Sequence, residues 1–468
     1  MRRLRVDWLL AFSLFVMLVP LNWAQTFSVL YDFGSGGSQD PVQPSYSGII
    51  VQGPDGNLYS SAPYQLTGYS YGAVFAITPS GALTVVYDFT SYSTGANPYS
   101  GLVLGTDGNF YGTTASGGTS GQGIIFSLNS SGLLTTLYNF TGESDGGEPY
   151  APPIQASDGN FYGTASRSAQ GSYGTVYQLT SAGQFTPLYQ FDGQHGASPY
   201  TPLVEGSDGN FYGVTPAGGN LNWGIVYRIK PNGKLHVLYN FDGIHGLEPF
   251  GPLVRGNDGN FYGTTFGGGT NGSGVIFKIT PSGRLTVIHN FVGTGGGFYP
   301  VGGLVLASDG NFYGTTHSGG PTDAGTIFKI SQQGKYAVLH KFDGTDGMFP
   351  LVTLMQHTNG LLYGDTNKGG TISCGRGNCG TFYSLNLGLP PFVNVLPTSS
   401  RVGNTVEMLG EGFTGATSVL FNGVAASFKV VSDTFLTATV PNGATTGFVT
   451  VATSGGELNS KVKFRVTK

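Results

Sequence analysis

One eight-residue motif, clearest as Asp-Gly-Asn-Phe-Tyr-Gly-Thr-Thr at 107–114, recurs along the chain at an almost constant interval. Successive copies begin about 50 residues apart, and a fixed period of that size is typical of repeat architectures. The copies begin at Asp55, Asp107, Asp158, Asp208, Asp258, Asp309 and, in a more eroded form, Asn359. The sequence therefore predicts a tandem array of similar units rather than one continuous core.

A single unit, taken over residues 101–140, consists of short apolar segments separated by turns. The segments 101–104, 110–114, 124–128 and 133–140 are separated by Asp-Gly-Asn, by a Gly-rich loop and by a second tight turn. Asp-Gly and Gly-Asn supply the positive φ angles that tight β-turns need, and no segment has helical periodicity. Each unit is therefore predicted to be a four-stranded antiparallel sheet, which is one blade of a β-propeller.

The two ends of the repeat region are complementary. An aromatic-x-Phe ending marks the fourth strand of each unit, and the same ending closes a lone strand at 26–33. The last unit stops after a third strand at 380–387. An open solenoid would leave both edges exposed, which is a liability, whereas a ring would pair them. The predicted fold is therefore all-β, a seven-bladed propeller over residues 25–388, closed by pairing of the N-terminal strand with the last blade.

Composition agrees with tightly turned β-structure and argues against several classes of partner. The 468 residues include 79 Gly, 32 Phe and 26 Tyr, and only 10% are charged. Disordered chains are rich in charge and poor in aromatics. The formal net charge of -4 gives no electrostatic basis for binding nucleic acid or an anionic membrane.

The N-terminus has the form of a secretion signal. Arg2, Arg3 and Arg5 precede an apolar run over residues 8–21, which is short for a membrane span but suits a signal peptide. Cleavage after Ala24 is predicted, so that 1–24 is removed and the mature chain is extracellular, with the periplasm and the cell surface as alternatives. An uncleaved anchor is the other interpretation of this run, and the mature chain has no stretch suited to spanning a bilayer.

The only cysteines are Cys374 and Cys379. In an exported protein such a pair is predicted to form a disulfide that closes a small loop. A zinc site would need more ligands than this pair offers, and a redox-active pair would have the spacing Cys-x-x-Cys.

The two ends of the predicted blades differ in their connections. Turns between strands one and two, and between three and four, are tight and uniform, whereas the other connections are long and varied. Long variable loops on a rigid scaffold are where binding sites usually lie. The face with the long loops is therefore the predicted working face.

A Pro-aromatic step recurs in the loops of the working face. It places Tyr150, Tyr200 and Phe250 at equivalent positions and is reversed at Tyr299-Pro300 and Phe349-Pro350. A ring of aromatics around a propeller mouth suits stacking on sugar rings, and Tyr150, Tyr200 and Phe250 are candidate ligand-binding residues on that ground. Recurrence in nearly every blade equally suits a packing role.

Acidic, histidine and tryptophan residues in the same loops differ between blades. Binding of a cation or polar ligand, or glycoside hydrolysis by carboxylates ~5–10 Å apart, is one interpretation of the acidic and histidine residues, and solvated loop charge is the other. Trp223 is either a stacking platform or a packing residue. The candidates of this group are Asp192, His195, Asp242, His245, Glu248 and Trp223.

Motifs for catalysis are absent from the sequence. There is no nucleophile elbow, phosphate loop, zinc motif or dinucleotide fingerprint. Asp-Gly-Asn lacks the alternating acidic ligands of a calcium loop and is interpreted as turn chemistry. We therefore predict no catalytic residue, no metal ligand and no cofactor.

The repeats end at Leu387, and 388–391 form a short Pro-rich linker before about seven short strands in 392–468. This segment contains Val-Glu-Met-Leu-Gly-Glu-Gly-Phe at 406–413, Val-Leu-Phe-Asn-Gly at 419–423 and Val-Pro-Asn-Gly at 440–443. On these residues it resembles the IPT/TIG family. The resemblance implies an Ig-like domain over 389–468 that serves as a spacer or interaction module.

The repeat region resembles the GloVer (Gloeo/Verruco) tandem-repeat family of bacterial secreted proteins. The resemblance rests on the repeated motif, followed by Gly-Gly and an apolar strand, over residues 26–388. That family implies no particular chemistry. The first functional hypothesis is therefore a secreted, non-enzymatic binding or adhesion protein whose partner is an extracellular glycan or envelope protein. A glycan-active hydrolase or lyase and a structural envelope component are the alternatives.

Overall fold

The computed structural model describes residues 25–44, 49–66, 71–167, 173–374 and 377–467. The predicted signal peptide at 1–24 lies outside the described residues. Within these ranges the chain is all-β, and its helical structure is limited to the single 3-10 turns Tyr92–Thr94 and Phe413–Gly415. None of this helical structure is long enough to cross a membrane.

The strands of the repeat region recur with the period of the motif. They are β1 (Thr26–Asp32), β2 (Pro41–Val42), β3 (Val51–Gln52), β4 (Leu58–Ala62), β5 (Tyr64–Gln65), β6 (Ala73–Ile77), β7 (Leu83–Asp88), β8 (Val103–Leu104), β9 (Phe110–Thr114), β10 (Ile124–Leu128), β11 (Leu134–Asn139), β12 (Ile154–Gln155), β13 (Phe161–Ala165), β14 (Thr175–Leu179), β15 (Phe185–Gln190), β16 (Val204–Glu205), β17 (Phe211–Thr215), β18 (Ile225–Ile229), β19 (Leu235–Asn240), β20 (Val254–Arg255), β21 (Phe261–Thr265), β22 (Val275–Ile279), β23 (Leu285–Asn290), β24 (Val305–Leu306), β25 (Phe312–Thr316), β26 (Thr326–Ile330), β27 (Tyr336–Lys341), β28 (Met355–Gln356), β29 (Leu362–Asp365), β30 (Ser373–Cys374), β31 (Gly377–Asn378) and β32 (Thr381–Asn386).

These strands form four-stranded antiparallel sheets, which confirms the predicted structure of one unit. The sheets are sheet 1 (β3-β4-β6-β7), sheet 2 (β8-β9-β10-β11), sheet 3 (β12-β13-β14-β15), sheet 4 (β16-β17-β18-β19), sheet 5 (β20-β21-β22-β23), sheet 6 (β24-β25-β26-β27) and sheet 7 (β28-β29-β32-β1). The short strands β2 and β5 pair with each other, as do β30 and β31. Strand β1, from the start of the described chain, is thus the outer strand of the last sheet.

The outer strand of each sheet has one irregularity at the same place. In sheet 2 the pairing of β10 with β11 skips Leu137, and the pairing of β1 with β32 skips Leu30. The outer strands of the other sheets have the same shift. Such a bulge increases the local twist of a strand. Because β1 has the same bulge, it has the geometry of the fourth strand in the other sheets.

The first strand of each unit is shorter than the sequence predicts. A strand was expected over 101–104, but only Val103–Leu104 pair with β9. Gly101 has a φ of 67° and forms a bridge with Ile49 of sheet 1. A side chain at Gly101 would place its Cβ 2.0 Å from the Ile49 nitrogen. The backbones of neighbouring sheets therefore meet here, and the strand begins only beyond this contact.

The Asp of each motif holds both its own turn and the strand that follows. Asp107 accepts hydrogen bonds from the Asn109 backbone N–H at 3.1 Å and from the Asn109 side-chain amide and the Tyr111 hydroxyl, both at 2.8 Å. The same bonds recur at the other intact copies, with Asp55, Asp158, Asp208, Asp258 and Asp309. These contacts confirm that Asp-Gly-Asn is turn chemistry.

The two aromatic residues of the motif connect neighbouring sheets. The Tyr111 ring of sheet 2 lies 4.1 Å from the Phe161 ring of sheet 3, measured between centroids. Tyr162 and Phe211 repeat the contact at 4.0 Å, and it continues through Tyr59–Phe110, Tyr212–Phe261 and Tyr262–Phe312. These rings are buried and form much of the core between sheets.

The C-terminal domain is a pair of packed sheets. Its strands are β33 (Asn394–Leu396), β34 (Ser399–Arg401), β35 (Thr405–Leu409), β36 (Ser418–Phe421), β37 (Val424–Ala425), β38 (Phe428–Val430), β39 (Phe435–Thr439), β40 (Val449–Thr453), β41 (Gly456–Asn459) and β42 (Arg465–Thr467). One sheet has the order β33-β35-β39-β38 and the other β37-β36-β40-β41. Met408 and Val451 are buried in the core between them. The sequence predicts about seven strands here, whereas the structure has ten. Among them, β41 is mostly exposed and β34 pairs in parallel with β42.

The predicted disulfide is not formed in the structure. Cys374 and Cys379 are both buried free thiols. Cys374 pairs with Gly377 across the β30–β31 hairpin, so Cys379 is its diagonal neighbour. Burial and the neighbouring Cys374 thiol raise the pKa of Cys379 to about 12.

Candidate functional site

The C-terminal domain rests on the ends of the sheets that carry the tight turns, here called the tight-turn side. Thr434 donates a hydrogen bond to the Pro54 carbonyl at 2.7 Å, and Asn257 donates to the Lys461 carbonyl at 3.2 Å. Pro54 and Asn257 belong to turns between first and second strands. The domain therefore covers part of the tight-turn side, and the long connections lie at the opposite ends of the strands, here called the long-loop side.

One proline recurs on the long-loop side, and the residue before it always has positive φ. Glu148, Glu248 and Phe349 have φ values of 50°, 55° and 58°, and each precedes a proline. The prolines thus align between sheets. The apparent reversal at Phe349-Pro350 is instead a change at the next position, which is Phe250 in sheet 5 and Leu351 in sheet 7. The structure corrects the sequence interpretation on this point.

The candidate aromatics Tyr150, Tyr200 and Phe250 form a continuous row. Ring centroids are 5.4 Å apart for Tyr99 and Tyr150, 5.2 Å for Tyr150 and Tyr200, and 6.4 Å for Tyr200 and Phe250. All are half-buried. Because each ring packs on the next, the row lines the long-loop side and presents part of each ring to solvent.

A pocket lies where this row ends, and we call it the mouth pocket. It has a volume of about 340 Å³. Val301 and Leu351 occupy the positions that hold larger aromatics in sheets 2–5, which leaves the space open. Its walls are completed by Phe250, Phe266 and Phe349, and its polar lining consists of His317, Asn367 and Lys368.

Three lining residues occupy the position directly after the motif. Phe266, His317 and Asn367 follow the second strands of sheets 5, 6 and 7, where sheets 1–4 have Pro63, Ala115, Ser166 and Pro216. Sequence reasoning missed these residues because it concentrated on positions that repeat. Their signal was the reverse, a variable position beside an otherwise constant motif.

The polar groups of the mouth pocket are held in place by neighbouring residues. The His317 ring stacks on Phe349 at 4.4 Å with an interplanar angle of 1°, and its Nδ1 lies 2.9 Å from the Ser318 hydroxyl. Burial lowers the pKa of His317, Asp323 opposes the shift, and Lys368 adds to it. The Asn367 side-chain amide donates to the Pro44 carbonyl at 3.1 Å. The pocket thus combines apolar walls with an imidazole ring, an oriented amide and a lysine side chain.

Trp223 lies outside the mouth pocket, on the rim of the long-loop side. It is 38% exposed, and a Cβ at Gly243 would lie 2.8 Å from its ring. A Cβ at Gly193 would likewise lie 3.0 Å from the Tyr173 ring. Ile244 beside Gly243 is 71% exposed. The rim therefore carries large exposed apolar side chains that are supported from below by glycine turns.

The candidate Asp–His pairs are each closed within a single loop. Asp192 accepts from the His195 backbone N–H at 2.7 Å and lies 2.6 Å from its Nδ1. Asp242 and His245 repeat this at 2.8 Å and 2.6 Å. Burial tends to raise the pKa of both carboxyls, but the hydrogen bonds from the histidines outweigh it and lower the pKa. These pairs therefore stabilise their own turns.

The acidic candidates do not gather into one constellation. Glu248 contributes its backbone to the loop, since its N–H donates to the Trp223 carbonyl at 2.9 Å and its carbonyl accepts from Phe266 at 3.0 Å. The equivalent Glu148 is paired with Arg167 at 2.9 Å. Across the described ranges, no group of three His, Cys, Asp or Glu side chains is arranged to hold a metal ion.

Comparison with known proteins identifies both parts of the chain. The Gloeobacter/Verrucomicrobia repeat matches residues 45–257 and 223–396, and the IPT/TIG domain matches residues 390–466. No curated protein matches the sequence.

Solved structures resemble this fold at low sequence identity. A fungal alcohol oxidase of the AA5 family, in complex with copper, is 16% identical with a TM-score of 0.53, over 95% of this chain and 99% of its own. A gluconolactonase from Xanthomonas campestris is 12% identical with a TM-score of 0.40, over 75% of this chain and 98% of its own. The first likeness concerns the fold alone, and the second is too weak to carry an argument.

Proposed function

Because the chain belongs to the Gloeobacter/Verrucomicrobia repeat family and ends in an IPT/TIG domain, we propose that it is a secreted, non-enzymatic binding or adhesion protein. Its ligand site is the mouth pocket, and its ligand is an extracellular glycan. The repeat region is the scaffold, a closed ring of seven blades. The IPT/TIG domain lies against the other side of that scaffold.

Contacts between the first and last sheets support the closed ring. Ile49 of sheet 1 forms bridges with Gly101 of sheet 2 and with Thr353 of sheet 7. The buried His357 of sheet 7 lies 2.9 Å from the Gly56 carbonyl of sheet 1. Together with the pairing of β1 and β32, these contacts give sheet 1 a neighbour on each side, as a ring requires.

The chemistry of the mouth pocket supports a sugar ligand. Sugar rings have apolar faces that stack on aromatic side chains, and hydroxyl groups around the edge that need hydrogen-bond partners. The rings of Phe250, Phe266 and Phe349 supply the stacking surface. The polar side chains of His317, Asn367 and Lys368 supply the hydrogen-bond partners. A concave site with apolar walls and a few placed polar groups is the usual form of a small-ligand pocket.

The exposed rim supports a polymeric ligand rather than a single sugar. Trp223 lies against Gly243, next to Ile244, on the same side as the mouth pocket, and contiguous exposed apolar patches commonly mark interaction sites. A chain that extends from the pocket across the rim would contact both. The single observation on which the proposal depends is the pocket of about 340 Å³ at the end of the aromatic row.

The test is a glycan array and polysaccharide pull-down with the mature chain. We expect binding that is lost in the double variant Phe250→Ala/Phe349→Ala. The matched control is Leu133→Ala, because Leu133 is 66% exposed on the tight-turn side. Absence of binding to every glycan, or equal binding by the double variant, would contradict the proposal.

A further inference from the structure

A second cavity lies between the repeat region and the C-terminal domain, and we call it the interdomain cavity. Its volume is about 260 Å³. Its walls are mostly apolar and come from both parts of the chain, including Val254, Leu304, Leu306, Val393, Val462 and Phe464. Two cationic side chains, Arg255 and Lys461, also line it, and no carboxylate does.

Arg255 breaks a pattern of contacts between sheets. The last residue of the first strand is Gln155 in sheet 3 and Gln356 in sheet 7, where its side-chain oxygen accepts the backbone N–H of Thr106 at 2.8 Å and of Ser308 at 2.9 Å. Arg255 occupies the same register position in sheet 5. A guanidinium has only donors, so Arg255 cannot make this contact.

The Arg255 guanidinium is instead left without a partner among the described residues. Burial lowers its pKa and the neighbouring Arg465 adds to the shift, while Glu205 and Asp208 oppose it. The nearby Glu205 is already engaged, because it accepts two hydrogen bonds from Ser157 and pairs with Arg465 at 3.4 Å. Glu205 and Asp208 act on Arg255 only from beyond ion-pair distance, so an anion in the cavity would be its first direct partner among the described residues.

Lys461 adds a second unpaired cation to the same cavity. Its ammonium lies 4.3 Å from the centre of the Phe392 ring, and it has no ion pair within the described ranges. Burial lowers its pKa to about 8. The cation–π contact compensates only part of the lost hydration.

We propose that the interdomain cavity binds a small amphiphilic carboxylate, with the carboxylate paired with the Arg255 guanidinium, Lys461 adding positive charge to the cavity, and the apolar body against the valine and leucine walls. Arg is suited to bidentate recognition of carboxylates. The volume lies below the roughly 300–1,000 Å³ of pockets for drug-sized ligands, so the ligand is about the size of a medium-chain fatty acid. This site is independent of the mouth pocket.

The proposal is tested by isothermal titration of the mature chain with sodium octanoate, octanol and sodium acetate. Octanoate is expected to bind, and octanol and acetate at least tenfold more weakly, since one lacks the charge and the other the apolar body. Arg255→Gln and Lys461→Met are each expected to weaken octanoate binding at least tenfold. Arg255→Gln should fold normally, because glutamine stands at this position in other sheets.

Lys463→Gln is the matched control, since Lys463 is exposed and lies two residues after Lys461 in the chain. No octanoate binding at millimolar concentration, equal binding of octanol or acetate, or unchanged octanoate binding by both variants would each overturn the proposal. Glycan binding at the mouth pocket should be unchanged by Arg255→Gln, so the two proposals succeed or fail separately.

Discussion

Gln52 and Thr358 exchange two hydrogen bonds although they are 306 positions apart. The Gln52 amide donates to the Thr358 hydroxyl at 2.8 Å, and the Thr358 backbone N–H donates to the Gln52 side-chain oxygen at 3.1 Å. Gln356 makes the same kind of contact with Ser308 in the neighbouring sheet. The first and last sheets are therefore joined like two sheets that are consecutive in sequence.

We expect Gln52→Ala to destabilise the chain by about 1–3 kcal/mol, because it leaves the buried Thr358 N–H without an acceptor. Urea unfolding, followed by tryptophan or tyrosine fluorescence, measures the free energy. Gln184→Ala is the control, since Gln184 is exposed in a turn. Equal unfolding free energies for the two variants would show that the contact does not hold the first and last sheets together.

A second prediction concerns Asp365, whose two carboxylate oxygens are buried and unpaired. Burial raises its pKa to about 8, whereas the unfolded value is about 3.9. Between these values the folded chain keeps a proton that the unfolded chain has lost. The free energy of unfolding therefore decreases as pH rises from about 4 to 8, by up to about 1.4 kcal/mol per pH unit.

Asp365→Thr introduces the residue found at this position in sheets 2, 3, 5 and 6. We expect the variant to exceed the wild type in thermal stability at pH 8 and to match it more closely at pH 5. Asp343→Thr is the control, because Asp343 is exposed. The measurement is the melting temperature at both pH values, and a difference that does not depend on pH would refute the assignment.

The opposite pH dependence is expected for Asp258, the motif aspartate of sheet 5. In Asp258 burial favours a higher pKa, but hydrogen bonds from Asn260 and Tyr262 outweigh it and lower the pKa. This stabilisation is present above the unfolded pKa of about 3.9 and is lost as pH falls through the lower folded value. Asp258→Asn should therefore reduce the loss of stability between pH 5 and pH 2, as judged by circular dichroism.

Asp258→Asn should also remain folded at pH 7, since Asn359 performs the same role in sheet 7. Its side chain accepts from the Leu361 N–H at 2.9 Å and contacts the Tyr363 hydroxyl at 3.2 Å. Asp258→Ala is the comparison, with an expected cost of about 1–3 kcal/mol from the lost hydrogen bonds. Identical stabilities for the Asn and Ala variants would exclude this role.

A fourth prediction concerns the two buried thiols. Because Cys374 and Cys379 are free and buried, Ellman's reagent should detect two thiols per chain in denaturant and almost none in the folded protein. The chain should be alkylated under denaturing conditions without reduction. Detection of thiols only after reduction would restore the disulfide that the spacing predicts.

The sequence predicts the scaffold well because its chemistry is repeated. An Asp or Asn that holds its own turn and a Tyr that packs between sheets recur in every unit, and the Phe before that Tyr recurs in all but the first and last units. The short first strand is not predicted, because its start depends on the contact of Gly101 with Ile49 from another sheet.

The site is predicted only in part, for the same reason. Tyr150, Tyr200 and Phe250 are found because they repeat, whereas His317 and Lys368 belong to no pattern. The Asp–His pairs are recognisable in sequence, but their closure within single loops depends on side-chain directions that sequence does not give. The mouth pocket itself arises from two smaller residues, Val301 and Leu351, whose effect is visible only when the prolines are aligned in space.

The decisive measurement for glycan binding at the mouth pocket is the affinity of the best array ligand for three proteins. Isothermal titration with its oligosaccharide should give at least tenfold weaker binding for Phe349→Ala than for the wild type, a loss of about 1.4 kcal/mol or more. Leu133→Ala should bind like the wild type. Equal affinities of Phe349→Ala and Leu133→Ala would show that the glycan binds outside the mouth pocket.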